Sequence, residues 1–320
     1  MTLVAIIFFA VGYSIFGLAQ DWQLTALAYI TSSVAMLITS NVCPMVCGAC
    51  LKSSERTTGM QLCDTIASIP RLFAPIIAAL AIAMLGGLTT EGIRPLFWLS
   101  AVVAMTAFLV VYKWFNNPNI PKSAETQSFT HGIRRIFSEG VKVKRWGAYY
   151  ALMTLPWYMG FYIPLYAKEI KGADTLVLGL MDSGYWLAVV LLAIPVGLAA
   201  DRLGRKRTIA ALTPLYCLGL MLLGYAPGGL ILIIAGALNG FTMLAGVTES
   251  SMTVELVPRD LLGSWFGLLG FIMGLVNFIA PILGGFLWNV NPTTILYFLA
   301  VTQILKLGIL ATMPSKPKYS

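Results

Sequence analysis

The sequence predicts an all-α membrane protein, a bundle of about ten transmembrane helices. Three observations carry that expectation. First, 58% of the 320 residues are hydrophobic and 11% are charged, against roughly 25% charged in an ordinary soluble domain. Mean hydropathy is +0.82, too apolar for a water-facing surface. Second, the apolar residues fall in runs long enough to cross the hydrocarbon core, which takes about 20 residues as a helix. Third, the basic residues concentrate in alternate connections. This composition excludes a soluble globular enzyme, a nucleic-acid-binding domain and a disordered chain. The net charge of +8 is that of a membrane protein with basic inner loops.

Ten apolar runs follow in order: 1–19, 24–50, 60–87, 93–115, 146–167, 175–199, 208–226, 229–254, 261–288 and 293–313. Lipid offers no partners to backbone polar groups, so runs of this length are helices. The first run lacks a basic start and is apolar from Leu3 to Ala19, which predicts a retained span and not a cleaved signal. The longest connection, 116–145, is polar and opens Asn116-Asn117-Pro118-Asn119. It reads as a linker, with room for an amphipathic helix at the membrane surface. The expected domains are a four-helix bundle over 1–115, a cytoplasmic linker over 116–145 and a six-helix bundle over 146–320.

Orientation comes from lysine and arginine. With the amino terminus inside, the inner segments hold Lys52 and Arg56, seven residues between 113 and 145, four between 202 and 207, Arg259, and Lys316 and Lys318. The outer segments hold Arg94, Lys168 and Lys171. Both termini are therefore expected to be cytoplasmic.

The two halves echo one another. Glu55-Arg56-Thr57-Thr58-Gly59 precedes Ala74-Pro75, and Pro258-Arg259-Asp260-Leu261-Leu262-Gly263 precedes Ala280-Pro281. A weak internal repeat of this kind suits a transporter built from duplicated bundles. A sharper signal is Gly197-Leu198-Ala199-Ala200-Asp201-Arg202-Leu203-Gly204-Arg205-Lys206-Arg207. Gly197 permits close helix approach, Asp201 can accept from the free amides of a helix amino terminus, and Gly204 allows a tight turn. This run resembles the cytoplasmic signature of the major facilitator superfamily.

That resemblance implies twelve helices in two six-helix halves. The ten runs then match family helices three to twelve. Helices one and two are without counterparts, as in a shortened product or a piece of a longer chain. It also implies a cytoplasmic gate made by Gly197, Asp201, Arg202, Gly204, Arg205 and Lys206. Asp201 is expected at the amino-terminal turn of the helix starting near Thr57 to Met60, and Arg205 near Glu255. Family helices four, seven and ten line the solute cavity; here they are 24–50, 146–167 and 229–254. The second carries Tyr150, Thr154, Trp157 and Phe161 at helical spacing. Tyr149, Tyr150 and Tyr166, near its ends, read equally well as interfacial aromatics. The third places Asn239, Thr242, Gly246 and Glu249 on one face.

Ionisable residues inside spans are costly and usually functional; four are singled out as candidates, Asp64, Arg71, Asp182 and Glu249, while Lys306 also falls within a span. Glu249 is the candidate proton carrier, Arg71 and Asp182 are expected to approach one another, and a purely structural ion pair is the competing account. Cys43, Cys47, Cys50 and Cys63 share one end of the bundle; close helix packing explains them better than a metal site. No catalytic motif occurs, and the single histidine, His131, lies in the linker. The helix holding Ala74-Pro75 lacks the Gly-Pro-rich run of drug–proton antiporters, which leans away from that class. The expected function is secondary transport of a small solute by alternating access in the plasma membrane, with protons as the candidate coupling ion. No enzyme activity, cofactor, metal or nucleic-acid partner is expected, and the lipid bilayer surrounds a monomer. The rival reading is a non-transporting remnant or accessory membrane protein.

Overall fold

The computed structural model describes residues 2–40, 56–114, 129–254, 256–258 and 261–313, with the side chains of 2, 37, 40, 56–61, 63, 64 and 129–131 outside that description. The described residues form thirteen helices and no strand: α1 (Thr2–Leu18), α2 (Trp22–Ser40), α3 (Arg56–Met84), α4 (Thr90–Trp114), α5 (Phe129–Glu139), α6 (Val143–Met159), α7 (Tyr162–Glu169), α8 (Thr175–Leu203), α9 (Arg205–Tyr225), α10 (Gly229–Asn239), α11 (Phe241–Val254), α12 (Leu262–Val290) and α13 (Pro292–Ala311). Each of the ten apolar runs contains a helix, and among the described residues seven stretches are both long and apolar enough to cross a bilayer. Cys43, Cys47 and Cys50 fall outside the described residues, as does the side chain of Cys63. Among the described residues no cluster of metal-ligating side chains occurs.

The chain divides into two compact units. One comprises Met1–Lys52 and Ile77–Lys122, the other Ser53–Ile76 and Ser123–Ser320. The start of α3 thus groups with the second unit.

In the first unit, α1 packs against α2 and α4. Glycine makes this approach possible, since a Cβ on Gly12 would lie 2.3 Å from Ser32 Oγ and one on Gly17 would lie 2.9 Å from the Trp98 ring. Phe16 stacks on Phe97 at 4.9 Å. Arg94 donates to the Ala19 carbonyl at 2.9 Å, which satisfies an orphan acceptor at the end of α1.

In the second unit, two helices that the sequence predicts as continuous are broken. Run 146–167 becomes α6 and α7, interrupted at Gly160 and Phe161. Run 229–254 becomes α10 and α11, interrupted at Gly240. Pro156, inside α6, has no N–H to give the Leu152 carbonyl four residues back. The buried Gln303 amide on α13 donates to that carbonyl instead, at 3.2 Å. Between α8 and α10 the backbones nearly touch: a Cβ on Gly236 would lie 2.4 Å from the Met181 carbonyl oxygen. The last carbonyls of α13 are capped by lysines from elsewhere. Lys206 donates to Ala311 and Met313 at 2.8 and 2.9 Å, and Lys142 donates to Thr312.

The amphipathic helix expected in the linker is α5. Its apolar side is covered in part by the protein: Ile136 is wholly buried while Phe137 is exposed, Gly132 backs onto Ser264, and Val141 N–H, just past the helix, bonds the Leu256 carbonyl at 2.9 Å. The signature run is also more helical than a loop. Asp201 and Arg202 end α8, Arg205 starts α9, and Gly204 alone joins them at φ 99°.

Candidate solute and proton site

The centre of the second unit holds a buried charge pair. Lys306 Nζ on α13 lies 2.9 Å from Glu249 Oε1 on α11, with 3% and 1% of the side chains exposed. Tyr149 on α6, fully buried, donates its hydroxyl to the same oxygen. The lysine also lies 5.8 Å from the centre of the Tyr149 ring, and Trp146 stacks on that ring at 4.6 Å. Three helices therefore meet on one carboxylate. A carboxylate accepting from both an ammonium and a hydroxyl is far better placed than an isolated buried charge.

The helical register explains the arrangement. Thr253, one turn beyond Glu249, returns its hydroxyl to the Glu249 carbonyl at 2.8 Å. The Thr253 carbonyl, orphaned near the end of α11, receives the Trp265 indole N–H at 3.1 Å. Lys306 lies three residues beyond Gln303, so one face of α13 serves both the Pro156 kink and the carboxylate.

The predicted cavity residues are partly gathered here. Trp157 precedes the α6–α7 break and Phe161 lies in it; they are 43% and 49% exposed. Trp157 faces Gly246, where a Cβ would lie 3.5 Å from the indole edge. Asn239 is buried at the α10–α11 break and its side-chain oxygen has no hydrogen-bond partner. Thr242 is half-buried just past the break. Thr154 is buried, but its hydroxyl bonds the carbonyls of Tyr150 and Ala151 in its own helix. Tyr149 and Tyr166 are both buried, so the interfacial reading does not hold for them. Tyr166 meets the Thr293 hydroxyl at 3.2 Å. Lys306 and Tyr149 were not candidates on sequence grounds, although a lone lysine in the apolar run 293–313 is a visible signal.

Arg71 and Asp182 converge on Trp186 instead of pairing. The Arg71 guanidinium lies 4.8 Å from the centre of the Trp186 ring, and the Asp182 carboxyl lies beside the Trp186 side chain, one turn earlier on α8. The Asp64 side chain lies outside the described residues. In the gate motif, Asp201 Oδ1 lies 4.0 Å from Arg205 Nη2 across the Gly204 turn, and Gly197 is buried in α8. The expected contacts of Asp201 with residues 57–60 and of Arg205 with Glu255 fall on residues outside the description.

The sequence profile of the Major Facilitator Superfamily matches residues 1–180 and 149–318. The chain belongs to the major facilitator superfamily. Its relatives in this superfamily include the Escherichia coli tetracycline resistance protein, class B. That protein is 25% identical over 144 residues, covering 44% of this chain and 36% of the relative. A multidrug resistance protein B homolog of Mycobacterium tuberculosis is 34% identical over 118 residues, covering 36% of this chain and 22% of the relative. The match thus spans about a third or less of those curated relatives. Among solved structures, the E. coli fucose:proton symporter has a TM-score of 0.70 at 14% identity, over 98% of this chain and 83% of that one. The human organic anion transporter MFSD10 gives 0.67 at 14% identity, over 97% and 76%. These likenesses establish the superfamily fold of the chain.

Proposed function

We propose that the chain acts as a secondary transporter, moving a small solute across the plasma membrane by alternating access. Residues 1–115 and 146–320 act as the halves, with 116–145 and both termini cytoplasmic. The working form is a monomer in the bilayer, and it carries out no enzymatic reaction. The observation that carries this reading is the buried Glu249–Lys306–Tyr149 cluster beside two broken helices. Ionisable groups at that depth are retained for transport chemistry far more often than for stability, and broken helices are where transporters place their sites.

In this reading Glu249 carries the coupling proton. While ionised it is neutralised by Lys306. Once protonated it no longer holds the ammonium, and the lysine is free to leave α11. The carboxylate thereby links proton loading to the spacing of α11 and α13. Trp157, Phe161, Thr242 and Asn239 contact the solute near the helix breaks, while Asp201, Arg202, Gly204, Arg205 and Lys206 form the cytoplasmic gate with Gly197. Thr154 shapes the wall without offering a free hydroxyl. Two curated relatives are named for drug resistance, so drug-like solutes belong in the panel beside sugars and organic acids.

The test is uptake into proteoliposomes with and without a pH gradient, using wild type and Glu249→Gln. Gradient-dependent accumulation in wild type, lost or made pH-independent in Glu249→Gln, supports the reading. Wild-type uptake and pH dependence in the variant would remove Glu249 from the coupling role.

A further inference from the structure

We propose that Arg71 binds the anionic group of the solute, with the Trp186 ring as its platform and Asp182 as a positioning residue. The proposal rests on the transport reading only in calling the ligand a solute. The charges of the second unit that lie inside spans differ in kind. Glu249 and Lys306 satisfy one another in the interior. Arg71 lies in the apolar stretch Thr65–Met84 and is exposed, and no described carboxylate lies within ion-pairing distance of it.

Its recorded contact is the Trp186 ring at 4.8 Å. A guanidinium is planar, with five N–H donors around its edge. A guanidinium that meets a ring with its face keeps its edge for a carboxylate, sulfonate or phosphate oxygen pair. An arginine inside a span is too costly to keep without an anion, and among the described residues the protein supplies an aromatic face where an ion pair would neutralise it.

The aromatic face is itself held in place. The Asp182 carboxyl, four residues earlier on α8, lies beside the Trp186 side chain, and Tyr185 packs edge-on against the same indole at 5.0 Å. Asp182 fixes the indole, the indole fixes the guanidinium, and the fork remains open. The two rings suit a planar or apolar body beside the anionic group. Asp182 adds a like charge close by, which disfavours a second negative charge on the solute. The class is therefore a small organic monoanion with a flat or apolar body.

Binding to the purified full-length chain tests this without any transport step. Benzoate, its neutral isostere benzamide and the dianion phthalate are titrated while melting temperature and tryptophan fluorescence are followed. Benzoate should give a saturable response and benzamide none. Arg71→Gln should abolish the benzoate response, Arg71→Lys should weaken it at least tenfold, and Arg134→Gln should leave it unchanged. Asp182→Leu should weaken it several-fold, whereas Asp182→Asn keeps an acceptor for the indole and should restore benzoate binding while admitting phthalate. If Arg71→Gln does not fold, the Arg71→Lys titration decides. Equal responses to benzoate and benzamide, no response to benzoate or to aliphatic carboxylates, sulfonates and phosphate monoesters, or full binding by Arg71→Gln would overturn the proposal. Binding without uptake in proteoliposomes would count against the transport reading alone.

Discussion

Lys306 reaches across from α13 to Glu249 on α11 and meets the same carboxylate oxygen that takes the Tyr149 hydroxyl. A pair this deeply buried is costly to break from one side, because the remaining charge is left without compensation. Lys306→Met is expected to lose about 3–5 kcal/mol of stability, and Glu249→Gln in the same background should recover much of it. Thermal melts of the single and double variants in detergent measure this; additive losses would mean that the two residues are not coupled.

Tyr149→Phe keeps the ring that stacks on Trp146 and removes only the hydroxyl. Hydrogen bonds to charged groups contribute about 1.5–3 kcal/mol, so a loss in that range is expected on denaturant or thermal unfolding. A neutral substitution would show that Lys306 alone satisfies the carboxylate.

Gln303→Leu fills a similar volume and leaves the Leu152 carbonyl without a donor. The cost of a stranded buried acceptor is about 1–3 kcal/mol. Pro156→Ala restores the missing helical N–H, so the same Gln303 change should matter less in that background. Comparing the two unfolding midpoints tests the assignment.

Gly236→Ala should be severely destabilising, since the new methyl meets the Met181 backbone and backbone cannot swing aside as a side chain can. Gly263→Ala is the matched control, with nothing within 4 Å of the added carbon. Expression level and monodispersity of the two proteins should separate clearly.

Gly204→Ala places a Cβ on a residue at φ 99°, a region that L side chains rarely adopt. A cost of about 1–2 kcal/mol is expected, although open space surrounds the position. If the variant melts with wild type, the turn between α8 and α9 has other conformations available.

The helices were legible because a bilayer demands uninterrupted apolar length, and that demand is written residue by residue. Breaks were less so. Gly160 and Gly240 look like ordinary small residues in membrane helices, and only their neighbours in space reveal where the hydrogen-bond ladder stops. Glu249 could be singled out by its depth in an apolar run. Its partner could not, because Lys306 lies 57 residues further along and pairing depends on how α11 and α13 are turned toward each other. The sequence leaves Tyr149 between a cavity and an interfacial reading for a similar reason. Proximity to the end of a run suggests an interfacial aromatic, but burial is decided by which face of α6 meets α11. Arg71 and Asp182 were expected to meet, and the intervening Trp186 follows from a rotation of α8 that spacing alone does not fix.

The bend at Pro156 is held from outside its own helix. Because Gln303 grips the Leu152 carbonyl, α6 cannot straighten or bend further without that amide letting go. The elbow is therefore a fixed angle referenced to α13, like a bracket bolted to the neighbouring beam. Lys306 sits one turn along that beam. Release of the lysine by its carboxylate, and any slip of α13 that follows, would reach the elbow directly and tilt the half of α6 that carries Trp157.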